Sequence, residues 1–167
     1  VPYFPHPNPS PEGEGLLKAR PPSNLQLEAA ECGAASLAMI LGYHGRFAPL
    51  DELRTLCGVS RDGSKASSVL RAGRTFGLEA KGLKAEPDHL AELDLPLIAF
   101  VNFNHFLVVE GVDEHWVWLN DPASGRRRES WQAFSDSFTG VVLTFRPGPD
   151  FERGDTRPSL FESLAGR

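Results

Sequence analysis

Two groups of residues, far apart in the chain, carry the chemistry of nucleophilic catalysis. The first is Gln26-Leu27-Glu28-Ala29-Ala30-Glu31-Cys32-Gly33-Ala34-Ala35-Ser36-Leu37, where Cys32 opens an apolar run and Gln26 lies six positions earlier. A helix beginning at Cys32 would turn unpaired N–H groups and the positive end of its dipole toward the sulfur, which favours thiolate over thiol. The Gln26 amide and the Cys32 N–H would then donate to the oxyanion of a tetrahedral intermediate. Such a thiol needs a base.

Five histidines are available, and spacing sets three aside. His6 sits in a proline-rich stretch. His44 lies twelve residues along the same helix as Cys32, about 18 Å away at 1.5 Å per residue. His89, between Asp88 and Glu92, reads as a solvated residue of a short polar helix. His105 and His115 fall in Phe103 to Pro122, which reads as two strands around a turn near Gly111 to Glu114. A turn centred on Asp113 puts His105 directly across from Asp121, on one face, with Cβ atoms about 4.5–5.5 Å apart. That carboxylate would fix the imidazole tautomer and stabilise the imidazolium while the other ring nitrogen addresses the thiol. Asn120 would face the opposite side, and a one-residue change of register would exchange the two. His115, at the hairpin end, is expected to be exposed. Taken singly, Cys32 reads as packing, His105 as a core histidine and Gln26 as a surface residue; their conjunction points to a Cys-His-Asp site.

The elements that must position these residues come as helices first and strands later. Cys32 to Tyr43, Pro49 to Cys57 and Ser67 to Phe76 read as helices, the first two stopped by Gly45 and Gly58 and the third followed by Gly77. Leu78 to Ala85 reads as a strand, Pro87 to Leu93 as a short helix, and Pro96 to Val112 as one or two strands. Trp116 to Leu119 makes another strand, Trp131 to Phe138 a helix and Gly140 to Phe145 a last strand. This order predicts an α+β fold with N-terminal helices packed on an antiparallel sheet.

A chain of 167 residues with 41% hydrophobic content suits a single core. Residues 1–22 hold seven prolines and show no periodicity, as expected of an extended segment. The domain is placed at 23–146, with 147–167 as a C-terminal linker containing a short helix at Ser159 to Leu164. A formal charge of −5 argues against nucleic acid as a partner. The run Arg126-Arg127-Arg128 reads as a solvated strand or turn. No window approaches a membrane span or a signal peptide, so the chain is expected to be soluble. Its Val start suits a piece of a longer protein. Cys57, beside Gly58, reads as a buried small hydrophobe, and two cysteines make no disulfide framework.

At its candidate site the chain resembles the peptidase C39 family, papain-like cysteine peptidase domains at the N-terminus of bacterial ABC exporters that mature and secrete peptides. The family's glutamine followed by an acidic residue, Cys-Gly, two small residues and Leu appears as Gln26 to Leu37. Its His-Phe and following valines appear as His105-Phe106-Leu107-Val108-Val109, and its Asp-Pro as Asp121-Pro122, sixteen residues after the histidine. Gly58 to Ala66 and Phe138 to Val142 are similar to the subgroup whose precursors carry Nif11-like or nitrile-hydratase-like leaders. The resemblance spans about Asn24 to Phe151 and leaves Val1 to Glu14 unmatched.

That resemblance implies a papain-like fold and cleavage of ribosomally made precursors after a double-glycine-type site: Gly-Gly, Gly-Ala or Gly-Ser. Cys32 would be the nucleophile, His105 the base, Asp121 its orienter and Gln26 the oxyanion donor, with no cofactor and no metal. The implied partners are a precursor with an amphipathic helical leader and the exporter's transmembrane and ATPase domains, which would lie downstream. The domain would then work on the cytoplasmic side of the bacterial inner membrane. Gly58 to Lys65 is a near miss for a phosphate loop, with Lys65 one position late, so no nucleotide site is expected here. Two alternatives stand beside this reading: a catalytically weak leader-binding module, and an acyl transferase using the same Cys-His-Asp groups.

Overall fold

A computed structural model of the 167-residue chain describes residues 31–60 and 63–154. Gln26, the proline-rich residues 1–22 and the expected helix at Ser159 to Leu164 lie outside the described residues.

Helix α1 spans Cys32–Tyr43, and ten of its twelve residues, Cys32 to Leu41, are buried. A helix with no polar stripe must be covered all round. Here α2 (Leu50–Leu56) and α3 (Ala66–Thr75) cover one side and the sheet covers the other. The helix stops follow from glycine. Gly45 and Gly58 take φ of 91° and 59° just past the ends of α1 and α2. In each case the next two N–H groups return to the last turn: Gly45 to Gly42 and Arg46 to Leu41, Gly58 to Thr55 and Val59 to Arg54. These are Schellman closures, which need the left-handed conformation glycine adopts without steric cost.

Among the described residues, those from Leu78 onward build a six-stranded antiparallel sheet. Its strands are β1 (Leu78–Lys84), β2 (Leu97–Val101), β3 (His105–Val112), β4 (Trp116–Asp121), β5 (Gly125–Ser130) and β6 (Phe138–Pro147). In space they run β1-β6-β2-β3-β4-β5, so the last strand inserts between the first two. Pro87–Glu92 forms a 3-10 turn, and α4 (Trp131–Ser137) is capped by Ser130 accepting from the Ala133 N–H. Alternation along the strands makes two cores. Ile98, Phe106, Val108, Leu143 and Phe145 face the helices, while Leu97, Ala99, Leu107, Val109, Leu119 and Val142 face Leu90 and Phe134.

The element order is the α+β arrangement expected. The long run Pro96 to Val112 is two strands, broken by a tight turn in which Asn102 and Phe103 take positive φ and the Asn104 N–H returns to Val101 O. The arginine run lies in β5, an edge strand whose side chains are engaged: Arg126 bonds Glu110, Arg127 bonds Asp121 and Arg128 lies over the Trp116 ring. Beyond Arg146, where a linker is expected, Phe151 packs on the helical core, and the Gly154 N–H bonds Gly45 O.

Candidate active site

Cys32 occupies the first position of α1, preceded by Glu31 as N-cap. The helix axis therefore carries the sulfur at its N-terminal end. There the Phe106 backbone N–H, one residue into β3, donates to Cys32 Sγ at 3.5 Å. His105, the first residue of β3, is half-buried; its Nε2 lies 2.7 Å from Asp121 Oδ1. Asp121, the last residue of β4, is 5% exposed. The Ala123 N–H donates to the same oxygen at 2.8 Å.

Charge follows this geometry. The hydrogen bond to Asp121, then the nearby Cys32 side chain, raise His105 to about 9, overcoming burial that acts the other way. Burial opposes ionisation of Asp121, yet the bonds from His105, Arg127 and the Ala123 N–H hold its carboxyl well below the usual carboxylate range. The two partners shift in opposite senses, as a histidinium-carboxylate pair requires. Burial alone pushes Cys57, in the helical core, up to about 12.

The other histidines among the described residues lie elsewhere. His44 caps the far end of α1 and stacks edge-on against Tyr43 and Phe151, while His89 and His115 are exposed. The structure brings Cys32, His105 and Asp121 to one end of the sheet. Gln26 lies outside the described residues.

The route to that meeting differs from a turn centred on Asp113. Val112 pairs with Val117 and Gly111 with Trp118, but Val109 pairs with Leu119 and Val108 with Asn120. One extra residue, Glu110, is absorbed by a bulge between them. Extended to His105, the register beyond the bulge puts Ala123 directly opposite, and Asp121 is the diagonal neighbour two residues away on the same face. Without the bulge, Asn120 would share the face of His105 instead. The hydrogen-bond partner expected of His105 is the one observed, but the expectation that Asp121 lies directly across from it fails: Asp121 reaches the ring as the diagonal neighbour.

Residues 21–150 match the peptidase C39 family. The chain belongs to that family.

This C39 domain is 38% identical over 137 residues to the colicin V secretion/processing ATP-binding protein CvaB of Escherichia coli, covering 81% of this chain and 20% of that protein. It is 36% identical over 134 residues to the probable microcin-H47 secretion/processing ATP-binding protein MchF of Escherichia coli, covering 80% and 19%. The chain thus spans about a fifth of the length of these relatives. Among solved structures, a double glycine motif protease from an AMS/PCAT transporter, in complex with the leader peptide, superposes with a TM-score of 0.75. It is 48% identical, with 77% of this chain and 93% of that one covered. The helices on an antiparallel sheet are the papain-like architecture of these C39 domains.

Three contacts around the C39 site have no counterpart in the sequence reading. Glu31, 2% exposed, receives Arg54 Nη2 on Oε1 at 2.6 Å, which ties the start of α1 to α2. Gly33 is closely fitted: a Cβ there would lie 3.0 Å from Val69 Cγ2 and 3.1 Å from Ser64 Cβ, so those side chains would have to give by a few tenths of an ångström. Arg127 bonds Asp121 Oδ2 at 2.7 Å. The acidic and glycine neighbours of Cys32 were visible as a pattern, but their partners lie on other elements. Among the described residues, no three His, Cys, Asp or Glu side chains cluster as a metal would require, and no helix is long and apolar enough to cross a membrane.

Proposed function

We propose that Cys32, His105 and Asp121 form the catalytic triad of a peptidase that removes the leader from a ribosomally made precursor peptide after a double-glycine-type site, in step with export. The observation that carries this reading is the convergence at one sheet end of a helix-start cysteine, a histidine and a buried carboxylate bonded to that histidine. Membership of the C39 family and the likeness to a double glycine motif protease supply the substrate class.

The thiol proton passes to His105, and Sγ adds to the scissile carbonyl carbon. Imidazolium then gives that proton to the leaving amine as the C–N bond breaks, leaving a thioester on Cys32. Water, losing a proton to His105, adds to the thioester carbon; C–S cleavage releases the leader carboxylate and returns the thiol. Asp121 holds the imidazolium between the two transfers. The Gln26 amide would meet the oxyanion, and an amphipathic leader helix would dock on an apolar groove. The domain would act on the cytoplasmic side of the inner membrane, beside the transmembrane and ATPase domains of an exporter.

The test is incubation of the chain with precursors whose leaders end in Gly-Gly or Gly-Ala, against Cys32→Ala. A free leader carboxylate formed only by the unmodified chain is expected. Binding without cleavage would favour a leader-binding module, and an acyl adduct would favour transfer.

A further inference from the structure

Asp121 faces two cations from two directions. Its Oδ1 takes His105 Nε2 at 2.7 Å and the Ala123 N–H at 2.8 Å, while its Oδ2 takes Arg127 Nη1 at 2.7 Å. The carboxylate is nearly closed off from solvent and its two oxygens are committed to different partners, so it cannot turn without breaking a charged contact. The guanidinium is itself anchored. Its Nε donates to Glu129 Oε1 at 3.1 Å and its Nη1 to Ser124 Oγ at 2.8 Å. Arg127 and Glu129 are two apart on β5 and share a face.

We propose that Arg127 is a positioning residue for the triad: it locks Asp121 with Oδ1 toward His105 and offsets part of the carboxylate's charge, thereby setting how firmly the imidazole keeps its proton. The proposal rests on the Cys-His-Asp reading above. Among the described residues, the titratable and charged groups about the imidazole are Cys32 from α1, Asp121 from β4, and Arg127 with Glu129 behind it from β5; Phe106 and Ala123 contribute backbone N–H groups. Removing the guanidinium leaves Asp121 uncompensated, so imidazolium is held more tightly and yields its proton to the leaving amine more slowly. Lysine keeps the charge and loses the fork. Neutralising Glu129 does the reverse of removing Arg127, because more of the guanidinium's charge then falls on Asp121.

The experiment measures kcat and KM from pH 6 to 10 on a precursor with a Gly-Gly leader, together with the NMR titration of the His105 ring. The chains compared are unmodified, Arg127→Met, Arg127→Lys, Glu129→Gln and Asp121→Asn. For Arg127→Met, kcat is expected to fall about tenfold with KM nearly unchanged. Its alkaline limb and ring titration are expected to move up by about half a pH unit. Arg127→Lys is expected to keep the limb in place, and Glu129→Gln to move it slightly down. An Arg127→Met limb and titration that stay put, or move down, overturn the proposal, even where a lower Tm slows the enzyme. An Asp121→Asn chain as fast as the unmodified one overturns the triad reading instead. A slow Asp121→Asn beside a normal Arg127→Met keeps that reading and removes this proposal.

Discussion

Cys32 and Cys57 are almost equally hidden, at 4% and 0% exposure, and each sits at the end of a helix. Their surroundings could hardly differ more. Cys57 is the C-cap of α2, where carbonyls and the negative dipole end gather, and its thiol packs among apolar side chains that push it up to about 12. Cys32 is at the opposite kind of helix end, with the Phe106 N–H directed at its sulfur and the His105 ring beside it. Burial does not separate the proposed nucleophile from the core cysteine. The sense of the helix and the neighbours brought by other strands do.

The sharpest way to break that contrast is to exchange the cysteines' fates. Cys32→Ala is expected to lower cleavage of a Gly-Gly precursor by about 10⁴-fold or more, whereas Cys57→Ala should leave kcat within about twofold and cost about 1 kcal/mol of stability. Single-turnover assays and denaturant melts read both. A Cys57→Ala chain without activity would dissolve the distinction. Next in size, Asp121→Asn should reduce kcat by about 10²-fold, since the amide keeps the shape but not the charge that supports imidazolium; rate measurement at pH 7 is sufficient.

Smaller effects sharpen the picture through stability. Gly33→Ala should cost about 1–3 kcal/mol, because the new methyl meets Val69 and Ser64, and Val69→Ala in the same chain should recover part of the loss. The pH dependence separates the two cysteines again. His105, raised from 6.5 to about 9, contributes stability that is complete below pH 6.5 and is lost as pH rises through about 9. Cys57, raised from 9.0 to about 12, adds a second decline above pH 9, where the unfolded thiol ionises and the folded one does not. Melting temperature against pH should lose the first decline in Asp121→Asn and the second in Cys57→Ala. Coincident curves would contradict both assignments.

Much of this was legible in the chain because the signals are local. The glycines at 45 and 58 announce helix ends through the backbone conformation they alone adopt cheaply, and the apolar spacing of Leu37, Ile40 and Leu41 marks α1. Less was legible in β5, because Arg126 to Arg128 look solvated until Glu110, Asp121 and the Trp116 ring are placed beside them by strands remote from any local pattern. The turn before His105 was likewise hidden: Asn102 and Phe103 adopt positive φ without a glycine to advertise it.

By itself the sequence determined that Cys32 begins a helix, that His105 and Asp121 lie on neighbouring strands, and that further helices and strands would enclose them in an α+β fold. It did so because helix starts and stops and strand alternation are short-range properties. Only the tertiary structure decided the register that brings Asp121, and not Asn120, to the face of the histidine. Alternation has a period of two, so one residue absorbed at Glu110 reverses the faces of everything beyond it. Glu110 itself is held by Arg126 on β5, two strands away from its own. A bulge is a property of paired strands, and no single strand's sequence records it.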